Sequence, residues 1–359
     1  AHLGLLRQGR AHLAQSNVQN MFYMVEKFGF VLNSNAVYHL NRSQPPYLAM
    51  MVRDLYEVTH DRGLVRAAWQ PLRDEYDFWM TRRGTEQGLN RHLHDASAHD
   101  LIEFYDTTLR TRLGLDEADD HLKRTIAYHY TAEAESGHDF TPRFSGRCAD
   151  FLLVDLNSNL FRYERIFAEF SALLGLGEEQ TWIERADRRV ALMRRYLWSG
   201  ELGCFTDYDT EHDATGTIAH AAAFWPLAFG IATPAEAAST RRLLARLEQP
   251  HGVSTTEDAS GNRTYQWGFP NAWPPVQVMV CRGLRRYGFE EDALRIAAKY
   301  LETAAAQFET SGVLWEKYDS VTGRPGGAEY EPAEMLGWTA GAFVYLAELV
   351  SSEESDTNH

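Results

Sequence analysis

Apolar positions recur along this chain every three or four residues, in one stretch after another. Leu160, Tyr163, Phe167, Phe170 and Leu174 share a helical face. So do Trp182, Ala186, Val190, Met193 and Leu197, and later Leu294, Ala297, Leu301, Ala304 and Phe308. This spacing matches the α-helical period, and a stripe of that width buries one side of each helix against its neighbours. Alternating Val/Ile/Thr runs are scarce, so little sheet is expected. Between the helices lie stretches rich in Gly, Pro, Asn and Asp, namely "NSNAVYHLNRSQPP", "SGELGCFTDYDTEHDATG", "EDASGNRTYQWGFPNAWPP" and "DSVTGRPGGAEYEP", which read as long loops. No Ser- or Pro-rich linker divides the chain. The expectation is one domain over residues 1–350 and a disordered polar tail, "SSEESDTNH", at 351–359.

A faint repeat narrows the architecture. "SGELGCFTDYD" at 199–209 and "TSGVLWEKYD" at 310–319 each follow a helix and end in Tyr-Asp, and the two Tyr-Asp pairs are 110 residues apart. That offset suits two helical hairpins of roughly 55 residues each, as in an array of hairpins. Hairpins joined in the same sense close into a ring, so the predicted fold is all-α, an (α/α)6 toroid. Its long loops gather at one end around a central pocket. Thr206 stands where the second copy has Glu316. The scaffold repeats and the carboxylate does not, which points to a role for Glu316 beyond packing.

Composition excludes several classes. The chain has 359 residues, 44% of them apolar and 12% aromatic, enough for a large core. A net charge of −15 argues against a nucleic-acid surface, which needs a basic patch. No apolar run is long enough to cross a bilayer, so no membrane partner is expected. The N-terminus lacks the layout of a secretory signal and an initiator Met, and it begins inside a helical pattern. A cytoplasmic location and a missing first helix segment are the resulting expectations. Cys148, Cys204 and Cys281 are far apart and form no CxxC pair, so neither a disulfide framework nor a zinc site is expected.

The chemistry concentrates in the loops. In "AEAESGHDFTPRF" a helix stops at Gly137, and Asp139 follows between His138 and Phe140. In "LWEKYDSVTGRPGGAEYEP" Glu316 sits among aromatics, and Glu329 follows a Pro-Gly-Gly segment. Each carboxylate read alone could be a cap or half of an ion pair. Together they suit glycoside hydrolysis, in which one carboxyl protonates the leaving oxygen and another activates water. Sugars stack on aromatic rings, and their hydroxyls bond planar polar groups. Asn33, Arg42 and Gln44, then Trp267, Asn271 and Trp273, then Glu329 and Trp338 supply those types. By contrast, "HLHDASAHD" with His92, His94 and His99 matches no metal-ligand spacing and reads as a solvated loop, and His220 reads as a core histidine. No Walker loop, dinucleotide fingerprint or nucleophile elbow is present.

These residues resemble the α,α-trehalase family, inverting glycoside hydrolases built on an (α/α)6 barrel. "GFVLNSNAVYHLNRSQPP", "ESGHDFTPRF", "VDLNSNLF", "YQWGFPNAWPPVQ" and "WEKYDSVTGRPGGAEYEPAEMLGWTAG" are similar to five of its segments, in family order. The resemblance implies that Asp139 is the general acid, Glu316 the general base and Glu329 a substrate-binding carboxylate on a glycine-rich lid. It further implies sugar contacts at Asn33, Arg42, Gln44 and Trp267; Gly137, Asn271 and Trp338 are expected beside them as substrate-binding positions, and no metal or organic cofactor is expected. The implied substrate is a small α-glucoside cleaved with inversion to release glucose. Departures exist. The family's P-G-G-R-F signature would precede this chain, an Arg-Pro-Glu-Ser block is replaced by "AHDLIEFYD", His138 stands for Trp and Gly268 for Asp. Related hydrolases of glucosylglycerate or mannosylglycerate, a sugar-binding or inactive fragment, and a sugar isomerase or epimerase using histidine bases are the alternatives.

Overall fold

A computed structural model of the chain describes residues 1–259, 265–334 and 337–356. Its helices, in order, are α1 (His2–Arg7), α2 (Ala11–Phe28), α3 (Leu48–Thr59), α4 (Arg62–Arg82), α5 (Ala98–Phe104), α6 (Arg110–Leu113), α7 (Asp120–Ser136) and α8 (Val154–Leu174). There follow α9 (Glu179–Tyr196), α10 (Trp225–Phe229), α11 (Pro234–Arg241), α12 (Leu244–Leu247), α13 (Pro274–Arg286), α14 (Glu290–Ser311) and α15 (Gly337–Asp356). Six of them, α1, α3, α8, α10, α13 and α15, form the inner wall. Each packs on the next and α15 packs back on α1, so the ring closes. Helices α2, α4, α9, α11–α12 and α14 lie outside. The expected all-α toroid is the fold observed.

Inner and outer helices differ in how much of their circumference is covered. Helix α8 buries Leu156, Leu160, Phe161, Tyr163, Ile166, Phe167 and Phe170, because it touches neighbours on every side. Its outer partner α9 buries a single stripe, Trp182, Ala186, Arg189 and Met193, and turns its other residues to solvent. Short two-residue strands tie the loops at one rim. The repeat seen in the sequence is one such device: Tyr208–Asp209 pairs with Phe151–Leu152, which leads into α8, and Tyr318–Asp319 pairs with Asn271–Ala272, which leads into α13. Helix α15 runs to Asp356, into the stretch expected as a disordered tail, since no Gly or Pro stops it there. Residues 357–359 lie outside the described residues.

One excursion breaks the hairpin rhythm. Between α4 and α8, helix α5 passes through a π turn at Tyr105–Leu109 into α6, and α7 returns across it. The last turn of α7 is pinned by Glu135, whose side chain is fully buried beside Arg83. Glu135 accepts from Arg83 Nε at 2.9 Å and Nη2 at 2.7 Å, and from the backbone N–H groups of Ser43 at 3.0 Å and Leu93 at 3.1 Å. His92 Nδ1 lies 3.2 Å away. Burial alone would raise this carboxyl, but Arg83 and His92 outweigh it and hold it at about 2. One carboxylate thereby fastens three segments, 31–44, 83–93 and the end of α7, to the rim that carries the candidate chemistry. A smaller buried pair lies lower in the wall. The Tyr163 hydroxyl donates to Glu75 and accepts from the Ala49 N–H at 2.9 Å.

Two outcomes follow. Arg83→Met leaves Glu135 buried without its cation and should cost about 3–5 kcal/mol in urea unfolding; a loss below about 1 kcal/mol would remove the pinning role. Burial pushes Glu75 up to about 7, against the pull of the Tyr163 bond. The folded state therefore holds this proton more tightly than the unfolded chain. Its contribution is complete below the ordinary carboxylate range and is lost as pH rises through about 7. Glu75→Gln should flatten the decline of Tm between pH 5 and 8, by an amount on the order of 2 kcal/mol at the alkaline end. Parallel Tm curves for parent and variant would contradict this.

Candidate active site

The segment bearing Asp139 is held from both ends. Helix α7 closes on Gly137, whose φ of +75° favours glycine, which carries no Cβ penalty in the left-handed region. Ser136 Oγ accepts from the His138 N–H at 3.1 Å. Beyond the turn, the Thr141 N–H donates to buried Glu133 at 2.7 Å. Arg143 lies beneath, bonded to Asp207 at 2.9 and 2.8 Å and to Asp155 at 3.0 Å. Arg143 also donates to His138 Nδ1 at 2.8 Å. A ring nitrogen that accepts carries no proton, so His138 is neutral with its hydrogen on Nε2. Burial lowers its pKa to about 4, in agreement.

Asp139 itself meets a residue that the sequence reading missed. Arg112, on α6, donates from Nη1 to Asp139 Oδ2 at 2.8 Å and from Nη2 to the Asp139 carbonyl at 2.5 Å. The same guanidinium holds Glu329, with Nε 2.8 Å and Nη2 2.7 Å from Oε2. Burial works against the Arg112 charge, and the two carboxylates more than restore it. The side chain of Glu329 is 3% exposed, and its other oxygen accepts from the Gln266 N–H at 3.1 Å. Burial raises the Glu329 pKa despite Arg112. The glycine-rich segment was expected to be a flexible lid. It is seated here, and Gly326 is required for a steric reason: a Cβ there would meet Asn271 Oδ1 at 2.6 Å.

Glu316 meets the same lid at Tyr330 and Ala333. Its Oε2 accepts from the Lys317 ammonium at 2.8 Å and from the Tyr330 hydroxyl at 2.8 Å. Its backbone N–H donates to the Ala333 carbonyl at 2.8 Å, and its own carbonyl accepts from Trp338 Nε1 at 3.1 Å. Lys317 is buried, with its ammonium 4.7 Å from the Trp273 ring centroid and 4.5 Å from that of Tyr330. Adjacent lid residues thus reach both catalytic candidates, Glu329 through Arg112 to Asp139 and Tyr330 directly to Glu316. Among the described residues, Asp139 Oδ1 and Glu316 Oε1 carry no hydrogen bond.

Two cavities flank the Gly137–Asp139 turn. The outer one, about 760 Å³, is lined by Arg42, Phe104, Thr107, Thr108, Arg112 and Asp139, among others. The inner one, about 200 Å³, is lined by Gly137, His138, Asn159, Trp267 and Trp338, among others. Its aromatic wall is continuous. His138 leans on Trp267 with centroids 4.6 Å apart, Trp267 stacks on Trp273 at 3.9 Å, and Trp338 stands edge-on to both.

The expected sugar-binding residues divide into two groups. Arg42, Gly137, Trp267 and Trp338 line the cavities. Arg42 is buried, donates only to the neutral acceptors Asn41 Oδ1 at 3.0 Å and the Tyr38 carbonyl at 3.5 Å, and leaves Nε unpartnered among the described residues. Asn33, Gln44 and Asn271 bond within the protein. Asn33 donates to the Ser43 and Ala134 carbonyls, Gln44 Nε2 donates to the Asn33 carbonyl at 2.5 Å, and Asn271 donates to the Tyr265 carbonyl at 3.0 Å beneath the lid. The segment read as a solvated histidine loop is instead half inside: His92 and His94 are buried and His99 is exposed, because Glu135 draws it in. Gly268, which replaces a family Asp, has Pro142 Cδ and Tyr265 Cβ 3.2 and 3.3 Å from where its Cβ would be, so the loops close over that position. Gln266, within a motif already quoted, was also missed. It is buried and both ends of its amide lack a partner among the described residues.

The trehalase family profile matches residues 1–351. The cytosolic neutral trehalase of Neurospora crassa is 31% identical over 98% of this chain and 56% of its own length, and that of Emericella nidulans is 30% identical over 98% and 55%. The chain therefore spans about half the length of the curated relatives it matches. Among solved structures, the neutral trehalase of Saccharomyces cerevisiae superposes with a TM-score of 0.82 at 26% identity, covering 99% of this chain and 71% of that one. A mannosylglycerate hydrolase from Thermus thermophilus, at 20% identity and a TM-score of 0.67 over 96% of this chain and 91% of its own, shares the fold. With segment order, ring topology and sequence profile in agreement, the chain belongs to the trehalase family.

Proposed function

We propose that this chain carries the site of an inverting glycoside hydrolase that cleaves α,α-trehalose into two glucose molecules. The observation that carries the reading is the paired state of the two carboxylates. Asp139 and Glu316 face one lid, and each has one oxygen fixed by the protein and the other free. In this reading the inner chamber holds the glucosyl ring against Trp267 and Trp338, and the outer cavity holds the departing sugar. Asp139 Oδ1 delivers a proton to the glycosidic oxygen as its bond to the anomeric carbon breaks. Glu316 Oε1 removes a proton from a water that attacks the same carbon from the opposite face. Lys317 and Tyr330, both on Oε2, orient Glu316 so that its remaining lone pairs meet the water. All of this is proton and positional chemistry by side chains, and the reading assigns no metal or cofactor a part.

The names of the relatives support trehalose as substrate and a cytosolic location. The domain is read as running from residue 1 to about 350, with Asn33, Gln44 and Asn271 shaping the site from behind its lining. A second reading has one observation in its favour. Buried Arg42 bonds only neutral acceptors among the described residues and feels Asp139 and Glu135 from beyond ion-pair distance, and an acidic leaving group, as in mannosylglycerate or glucosylglycerate, would supply a direct carboxylate partner.

Proton NMR of fresh hydrolysates tests the stereochemistry, and a substrate panel decides between the two leaving groups. Inversion of trehalose yields α- and β-glucose in equal amounts before mutarotation, whereas retention yields the α anomer alone. A panel of trehalose, kojibiose, glucosylglycerate and mannosylglycerate should give its highest kcat/KM with trehalose. A preference for either glycerate would transfer the assignment to the acidic leaving group. Asp139→Asn and Glu316→Gln should each lower kcat by about 10²–10⁴-fold with the circular dichroism of the folded state retained, and Glu316→Gln should also lower Tm, because buried Lys317 loses its counter-charge. Near-parental turnover in either variant would strip that residue of its role.

A further inference from the structure

We propose that Arg112 is a positioning residue that aligns the carboxyl of Asp139 and makes that alignment depend on the seated lid; this rests on Asp139 being the acid of the reaction above. The guanidinium carries its donors in one rigid plane. Here one edge takes Asp139 by side chain and by backbone, and the other takes Glu329. One bond to Oδ2 and one to the carbonyl restrain the Asp139 carboxyl and leave Oδ1 without a partner among the described residues, on a side chain that lines the outer cavity. The plane is itself held, since Arg112 Cζ lies 4.5 Å from the centroid of the Phe140 ring and 5.5 Å from that of Tyr330. The side chain is 19% exposed, enough to touch the outer cavity and too little to swing freely.

The lid supplies half of this arrangement. Glu329 is the second anchor of Arg112, and its neighbour Tyr330 is a donor to Glu316. Lifting residues 325–334 would therefore release both carboxylates together. Arg112 would keep a single carboxylate partner, and Glu316 would lose a bond to Oε2. The π turn at Tyr105–Leu109 matters as well. Its added residue rotates everything after it by roughly 100° relative to a plain α-helix, and Arg112 is the cation that this rotation delivers to Asp139.

A purely structural arginine, present to neutralise buried Glu329, would behave differently. The distinction lies in the leaving group. Trehalose needs a proton on the departing oxygen, while α-D-glucosyl fluoride releases fluoride with little acid assistance. Arg112→Gln should lower kcat on trehalose by about 10²-fold and on the fluoride by less than about fivefold. Millimolar guanidinium should restore part of the trehalose rate in Arg112→Ala. Arg112→Lys keeps the charge and much of the volume, and should show the same substrate split at smaller size. Hydrogen exchange of the 325–334 amides should quicken in Arg112→Gln and in Glu329→Gln, and the double variant should be no worse than the poorer single.

Equal losses on the two substrates, or trehalose turnover within about threefold of the parent, would overturn the proposal. If Arg112→Gln does not fold, the substrate split of Arg112→Lys decides in the same terms. If the parent cleaves neither substrate, the functional reading fails first. Unchanged exchange of 325–334 in either Arg112 variant would then overturn the coupling to the lid on its own.

Discussion

The rim of this ring depends on one buried negative charge. Glu135 is shut away from water, and an isolated carboxylate there would be untenable. It survives because Arg83, His92 and two backbone N–H groups converge on it. Those four donors come from two segments, 31–44 and 83–93, so satisfying the charge and placing the loops against α7 are the same event. The turn that carries Asp139 begins two residues later. A few tenths of an ångström there decide whether a carboxyl oxygen points into a cavity, and an ion pair with this many partners holds position better than apolar contact alone.

A second buried cluster repeats this logic from the other side of the turn. Arg143 binds Asp155 and Asp207 and also donates to His138, which sets that ring neutral and places it against Trp267 at a tilt of 34°. Where the family has Trp at this position, a neutral imidazole with its hydrogen on Nε2 keeps an aromatic face and adds a donor to the inner chamber. The replacement of Asp by Gly268 works in the opposite direction. It removes a polar group and lets Pro142 and Tyr265 approach. Both departures are accommodated by packing around the turn that carries Asp139.

Much of this was legible in the chain, for identifiable reasons. The helical period of 160–174 and 182–197 is strong because those helices bury continuous stripes. Asp139, Glu316 and Glu329 stood out because carboxylates among aromatics and glycines are unusual outside a site. Arg112 did not stand out. It sits in a short amphipathic stretch with ordinary composition, and the π turn that re-aims it leaves no periodic trace of its own. His92 and His94 misled for a related reason: a polar loop is drawn inward only because Glu135, more than forty positions away, needs donors. Asn33, Gln44 and Asn271 had the right chemistry for sugars and spend it on backbone carbonyls, a choice that depends on tertiary contacts which a linear reading does not contain.

Lys317 has a consequence of its own. Its ammonium lies wholly inside the protein, between two ring faces, and Glu316 is its carboxylate partner. On the proposed mechanism, stability and proton transfer meet at these two positions: a change at Lys317 would reach the attacking water through Glu316, and a neutral residue at 316 would leave a positive charge unpaired in the interior. The charge at either position therefore sets what the other can tolerate.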